Sequence, residues 1–445
     1  MTARAAVIGA GPSGFYAAEQ LLRQGVATDL FDALPTPYGL VRAGVAPDHP
    51  KIKSVTRIFD RTAAQPGFRF FGGVEVGTDV TREELLERYH AIVYAVGTPT
   101  DNGLGIPGDD RRGSVAATEF VAWYNGHPAY ADETFDLACD RVVVIGNGNV
   151  AIDVARMLVL DPEELAATDV ADHAIAAFAA ASVREVVVLG RRGPAQAAFT
   201  NPELRELGEL TRCDVVVDPA EVGVEVPDEL EPVARRNVEI LRSYGERTPR
   251  NGERRLSLRF MRSPVEILGD GEHGAVTGVR VVRNRLEDGR AIPTGEHEVI
   301  GCGLVIRSIG YRGRPLPGVP FDERRGVIRN AGGRVCDEDG APRSGEYAVG
   351  WIKRGPSGVI GTNKKCATDT VAALLEDLAG GRLAQPPAAA DEAWLRTRVP
   401  GVVTWRGWEA IDEHERALGA PAGRPRVKLV RVPEMLAVVG VSPGS

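Results

Sequence analysis

Apolar residues in this chain come in short unbroken runs separated by longer mixed stretches. Runs of aliphatic and β-branched side chains occupy residues 5–8, 91–97, 141–145, 185–189 and 304–310, and each ends in or beside a glycine. Such runs, bounded by turn residues, read as strands buried on both faces of a parallel sheet. Residues 28–31 and 346–350 add further strands. The stretches 15–23, 152–160 and 364–378 read as helices, the last stopped by Gly380 and Gly381. An alanine-rich segment, 161–181, reads as extra helix inserted before the strand at 185–189. Strands alternating with helices predict an α/β chain.

The first strand leads directly into a glycine turn, Gly9-Ala-Gly11-Pro-Ser13-Gly14, and the second ends in Asp32, 18 residues past Gly14. Strand, turn, helix, strand and acid in this order form a dinucleotide-binding fingerprint. The first glycine makes the tight turn, the second admits backbone to a pyrophosphate, and the third lets helix pack on strand. Asp32 can accept a hydrogen bond from a ribose hydroxyl. A glycine-rich turn of purely structural purpose is the alternative.

The pattern starts again in mid-chain. After the strand at 141–145 come Gly146, Asn147, Gly148, Asn149, Val150 and Ala151, with alanine in the third place, as the motif permits. Here the strand at 185–189 ends in Gly190-Arg191-Arg192 instead of a carboxylate. Arginines at that place suit a 2′-phosphate, so the second site reads as specific for NADP. A solvated basic turn is the bland reading, and Arg191 lies 43 residues after Gly148 where about 20 is usual. The acidic first site suits an unphosphorylated ADP ribose, as in FAD. A chain holding both is most simply a flavin- and pyridine-nucleotide-dependent oxidoreductase.

The whole is expected to be two Rossmann-like dinucleotide-binding domains, the NADP domain inserted into the FAD domain. Residues 1–100 and 317–445 form the FAD part and 101–316 the NADP part. The paired strand-to-glycine endings at Gly97 and Gly310 point to an internal duplication. The loop 355–363 before the helix at 364–378 offers close backbone contact to a flat ring. Thr362 or Asn363 is the expected N-cap, and the helix dipole would stabilise negative charge. An ordinary capped helix is the alternative.

Charge and cysteine content narrow the function. A net charge of −8 excludes nonspecific nucleic-acid binding as the main activity. Residues 235–262 nevertheless carry nine arginines against three glutamates, a candidate docking face for an acidic partner, or a set of arginines satisfied by nearby glutamates. The five cysteines are scattered without a C-x-x-C pair, which argues against a redox dithiol, an iron–sulfur cluster or a disulfide framework. No metal site is expected from the histidines. With four residues before the first strand and no apolar run of spanning length, a cytoplasmic protein without leader or membrane span is expected.

Residues 34–50, which include Tyr38, Leu40 and His49, together with 146–153, 190–200, 203–207 and 350–364 are long and specific strings. Through them nearly the whole chain resembles the adrenodoxin-reductase family of ferredoxin–NADP reductases, particularly its actinobacterial members. That resemblance implies non-covalent FAD, with Gly9, Gly11, Ser13, Gly14 and Asp32 holding its ADP half. Leu40 and Val76 would line the flavin pocket, and Trp351 with Gly358, Val359 and Ile360 would flank the ring. Asn147, Gly148, Asn149 and Val150 would meet the NADP pyrophosphate, and Arg191 and Arg192 the 2′-phosphate, with Glu203 nearby. His49 and Glu206 match a pair linked to proton or hydride steps; a hydrogen-bonded structural histidine is the other reading of His49. The family often has Glu at the place of Asp32, and Phe or Trp at the place of Tyr38.

The implied activity is electron transfer between NADPH and a small acidic iron–sulfur ferredoxin, docked by the basic stretch with Arg235, Arg236 and Arg242 as candidates. An NADPH diaphorase or quinone reductase, or an electron-transfer subunit of a larger flavoenzyme, is the alternative. The lack of a cysteine-rich segment before the first strand argues against such a subunit.

Overall fold

The computed structural model describes residues 3–223, 230–248, 253–271, 274–358 and 360–441. The chain divides into two compact units: Met1–Thr100, Asn125–Ala131 and Gly310–Ser445 form one, Asp101–Tyr124 and Asp132–Ile309 the other. The first unit thus resumes at Gly310 rather than at 317. Thr100 Oγ1 donates to the Arg312 carbonyl at 3.0 Å, and the Gly313 N–H to Gly326 O at 2.9 Å. It also takes in residues 125–131, where Lys428 Nζ donates to Asn125 Oδ1 at 3.3 Å.

The first unit is built on an eight-stranded sheet. Its parallel centre runs Pro342–Ala348, Ala91–Tyr94, Arg4–Ile8, Ala27–Asp32 and Phe68–Gly72. Antiparallel partners edge both sides, Arg334–Cys336 on Pro342–Ala348 and Val403–Thr404 on Phe68–Gly72. Alternation along the first strand explains the unbroken apolar run: Ala5 and Val7 enter one core cluster, Ala6 and Ile8 another. Because Arg4–Ile8 pairs with the second strand on one side and the fourth on the other, the strand order reverses at its carboxyl end. That is where ligands of open α/β sheets bind.

The second unit repeats the plan with six parallel strands: Ser114–Ala116, Leu304–Arg307, Arg141–Ile145, Glu185–Leu189, Arg254–Arg259 and Cys213–Val217. A three-stranded antiparallel sheet, Arg262–Gly269, Val276–Glu287 and Arg290–Gly301, packs Ile267, Val279 and Val281 against Val143, Val187 and Val305. The hydrophobic pattern did not single out this sheet.

Several elements differ from expectation in their ends. The first helix begins at Pro12, because proline at the first position loses no needed N–H. The strand at 91–97 stops at Tyr94. The segment 161–181 forms two helices, Pro162–Ala166, capped by Asp161, and Asp172–Ala179. A last helix, Val432–Val438, buries Met435 in the core of the first unit, although the sequence there carried no clear signal. Among the described residues no helix is long and apolar enough to cross a membrane.

Candidate functional site

The two glycine turns are built alike, bond for bond. Gly9 N–H donates to Phe31 O at 2.7 Å and Ala95 N–H to Ile8 O at 2.7 Å. In the second unit Gly146 N–H donates to Leu189 O at 2.9 Å and Ser308 N–H to Ile145 O at 2.7 Å. Gly9 has φ +105° and Gly146 φ +128°, and a Cβ at either would run into the carbonyl of Ala95 or Ser308. These positions admit only glycine. Gly14 is required too, since its Cβ would strike the Gly9 carbonyl, whereas the matching Ala151 is accommodated in the core.

The middle glycines differ in kind. A Cβ at Gly148 would meet nothing within 4 Å, and for one at Gly11 the nearest atom is Gly39 Cα at 4.0 Å. Both are the N-caps of helices, Pro12–Arg23 and Asn149–Val159, in extended conformation and without a side-chain acceptor. The first-turn N–H groups of each helix therefore face an open approach, the chemistry a pyrophosphate needs. The residues present fit such a group at both turns.

The strand ends set the two turns apart. Asp32 Oδ2 accepts from Ala10 N–H at 2.8 Å and Oδ1 from Leu34 N–H at 2.9 Å. Burial lifts its carboxyl to about 6, against the pull of those two donors. In the second unit Arg191 is exposed, and its backbone is fixed by Asn284 Nδ2 donating to its carbonyl at 2.8 Å. No described residue pairs with the Arg191 guanidinium, while Arg192 Nη2 donates to Gln196 O at 3.4 Å.

Around the first turn the structure gathers most of the proposed flavin residues. Gly350, at φ +77°, backs onto the Ser13 side chain and starts a short helix at Trp351. The Trp351 ring lies 5.6 Å from that of Tyr311, and its buried Nε1 has no protein acceptor among the described residues. Leu40 is 47% exposed, Val76 is buried, Ile360 packs on the core and Gly358 takes φ +79°. Val359 lies outside the described residues. His49 is buried at the start of the helix Pro50–Lys53.

The helix Thr362–Ala379 corrects the capping expectation. Gly361 occupies the N-cap without a side-chain bond, and Asn363 instead accepts from Arg354 Nη2 at 2.7 Å, tying down the loop. Its first-turn Asn363 and Lys364 N–H groups donate to the Ile360 carbonyl at 3.1 Å and the Gly361 carbonyl at 3.2 Å.

In the second unit Asn149 Oδ1 accepts from Thr200 N–H at 2.8 Å, and Asn147 O from Ala198 N–H at 3.0 Å. These bonds stitch the turn, with Val150, to the helix Asn201–Glu206 that bears Glu203 and Glu206. Glu203 Oε2 is buried without a partner among the described residues. Glu206 lies 4.0 Å from the buried Arg156 Nε, and Arg156 also bonds Asp153 Oδ1 at 2.8 Å. Arg156 was missed in the sequence; the signal was an arginine inside the otherwise apolar helical run 154–159.

The basic stretch does not act as one face. Arg254 donates to Leu160 O at 2.6 Å, and Arg259 and Arg262 share Glu221 and Glu298 at 3.1–3.2 Å. Arg236 pairs with Glu239 at 2.6 Å, and Arg250 lies outside the described residues. Arg235, Arg236 and Arg242 share the helix Pro232–Gly245.

Residues 3–192 match the family described as pyridine nucleotide-disulphide oxidoreductase. The chain is 50% identical to the NADPH-ferredoxin reductase FprA of Mycobacterium tuberculosis over 97% of its own length and 98% of that protein's. It is 47% identical to a probable ferredoxin/ferredoxin–NADP reductase of Mycobacterium bovis, over 98% of this chain and 76% of that protein. To the mitochondrial NADPH:adrenodoxin oxidoreductase of Salvelinus fontinalis it is 43% identical, over 97% and 90%. The solved structure of Mycobacterium tuberculosis FprA in complex with NADPH superposes with a TM-score of 0.94 at 49% identity, covering 98% of this chain and 99% of that one. Two like-built glycine turns, one facing an acid and the other arginines at the end of the neighbouring strand, on a chain half identical to FprA throughout, place this protein in the adrenodoxin-reductase-like family of NADPH–ferredoxin reductases.

Proposed function

We infer that this chain is an FAD-dependent NADPH–ferredoxin reductase. The observation that carries the reading is the 50% identity to FprA along nearly the entire chain, joined to two cradles with opposite ribose ends. FAD, when bound, supplies the chemistry of accepting a hydride and releasing electrons one at a time. Everything else falls to the protein's own residues.

Gly9, Gly11, Ser13, Gly14 and Asp32 hold the ADP half of FAD, with Asp32 accepting from the ribose. Leu40 and Val76 line the pocket, and Trp351, Gly358, Val359 and Ile360 flank the ring. The Trp351 Nε1–H supports this, because a buried donor without a partner among the described residues calls for a ligand acceptor. The dipole of the helix Thr362–Ala379 steadies negative charge at its start. Asn147, Gly148, Asn149 and Val150 bind the NADP pyrophosphate. Arg191 and Arg192 clasp the 2′-phosphate beside Glu203. His49 and Glu206 serve proton or hydride steps. The partner is an acidic ferredoxin that meets the helix Pro232–Gly245 through Arg235, Arg236 and Arg242; relatives named for both a ferredoxin and a ferredoxin–NADP reductase support that class.

The test compares nucleotides. Purified protein should release about one FAD per chain on denaturation and be reduced by NADPH far more readily than by NADH. Each charge-assisted contact to the phosphate contributes roughly 1.5–3 kcal/mol, or about tenfold to a hundredfold in affinity. Changing Arg191 and Arg192 together to uncharged residues should raise KM for NADPH and leave NADH nearly unaffected. Equal losses for both nucleotides would assign the arginines to folding.

A further inference from the structure

Within the first unit, the segment 38–42 is gripped by residues more than 360 positions further along the chain. Glu415, on the helix Trp405–Gly419, has no exposed side-chain surface. Its carboxylate takes the Arg42 guanidinium as a fork, Nη1 to Oε2 at 2.8 Å and Nη2 to Oε1 at 2.5 Å. Arg426 Nη1 donates to Oε2 at 3.2 Å and Leu429 N–H to Oε1 at 2.8 Å. Against the upward push of burial, Arg42 and Arg426 hold this carboxyl below the ordinary glutamate range. Two turns earlier on the same helix, the Trp408 ring lies under Arg42, 5.4 Å from the guanidinium carbon. Trp408 Nε1 donates to the Tyr38 hydroxyl at 3.3 Å, and that hydroxyl donates to Asp60. Lys428 Nζ completes the grip by donating to the Arg42 carbonyl at 3.1 Å.

The gripped backbone is in a conformation it would not choose. Tyr38 has φ +83°, a region that bulky side chains rarely enter and that persists only where the surroundings over-determine it. Gly39 follows at φ +49°, and a Cβ there would lie 3.0 Å from Gly11 Cα. The strain therefore lays residue 39 against the open pyrophosphate turn and leaves Leu40 47% exposed beside it. A charge pair buried this fully adds little to stability by itself, because desolvation offsets its attraction. Its geometry is better explained by what it positions.

We propose that Glu415 is a positioning residue for the flavin, acting through Arg42 to hold residues 38–42 in the strained form that seats Gly39 and Leu40 beside the Gly9–Gly14 turn. This rests on the reading of that turn as the FAD site. It assigns to the helix Trp405–Gly419 a part in cofactor retention that contact with the cofactor does not require.

The experiment removes FAD from the holoprotein and titrates it back, following quenching of flavin fluorescence, in the wild type and in Glu415→Gln. The expected result is a rise in FAD Kd of about tenfold or more, the range for losing a charge-assisted fork. The gap in melting temperature between holo- and apoprotein should shrink with it, because ligand stabilisation follows Kd. An Arg42→Gln/Glu415→Gln double variant should bind FAD no more weakly than the single one, since the two groups act as a pair. Trp408→Phe, which removes the donor to Tyr38 and trims the ring under Arg42, should raise Kd severalfold and serves if Glu415→Gln does not fold. Lowered melting of apo- and holoprotein by equal amounts, with FAD Kd within about twofold of wild type, would overturn the proposal and leave the clamp a purely structural feature. A wild-type chain that takes up no FAD would instead overturn the flavin reading itself, and this proposal with it.

Discussion

Asp32 carries two conflicting demands. Its oxygens already accept from Ala10 and Leu34 N–H groups, and burial still lifts its carboxyl to about 6. A ribose hydroxyl is held best by the charged form, which prevails above that value and gives way to the neutral acid below it. FAD affinity should therefore fall as pH drops through about 6, each further unit removing up to about tenfold of the ionised species. Fluorescence titration of apoprotein with FAD across pH 5–8 measures this. Asp32→Asn should bind weakly at every pH and flatten the profile; a wild-type profile just as flat would show that the carboxylate does not meet the ribose. The glycines and the acid at this turn are recognisable one by one in the sequence, since each answers a local steric or hydrogen-bonding need. Arg42 is not, because nothing near it in sequence distinguishes an arginine destined for a buried carboxylate from one destined for water.

At the scale of the element, the strand–turn–helix unit occurs twice with the same backbone bonds, and the twin turns separate folding from binding. Gly146 stands where φ is +128° and where a side chain would meet the Ser308 carbonyl. Gly148, two residues on, has φ −96° and open space in front of it. Gly146→Val should destabilise the protein by more than about 2 kcal/mol, seen as a clear loss of melting temperature. Gly148→Val should melt close to wild type and lose at least about tenfold in NADPH affinity by titration, because its side chain intrudes only on the ligand. Comparable destabilisation by both variants would show that the space at Gly148 is not a binding cradle. Element ends were less legible than element cores. The helix at Pro12, the strand end at Tyr94 and the uncapped start at Thr362 depend on where the chain can still pair its backbone, and periodicity does not report that.

For the whole molecule, a net charge of −8 opposes encounter with an acidic ferredoxin unless a local basic face offsets it. Several arginines of the stretch 235–262 are consumed internally by Glu221, Glu298 and the Leu160 carbonyl. The helix Pro232–Gly245 carries Arg235, Arg236 and Arg242, with Arg236 exposed and paired with Glu239. Opposed charges chiefly raise association rate, and salt screens that gain over roughly 8–10 Å. Ferredoxin reduction should slow with ionic strength, while reduction of a neutral dye by NADPH changes much less. Charge reversal at these three arginines should abolish most of the salt sensitivity and spare dye reduction. Salt-independent turnover with ferredoxin would move the docking face elsewhere.

What this sequence determined by itself is whatever short-range physics writes locally: apolar runs that must be buried on both faces, glycines where no side chain fits, an acid or arginines at the end of the next strand. Those signals lie within some tens of residues of each other, and they sufficed for the α/β class, the repeated turn and the contrast between Asp32 and Arg191–Arg192. Tertiary structure alone decided the rest. It joined residues 125–131 to the first unit, folded Val432–Val438 onto its core, and laid an antiparallel sheet over the second. It also paired Arg42 with Glu415 across 373 positions. Each of these depends on which surfaces meet once water is expelled, and a charge becomes a clamp only when its partner is buried with it.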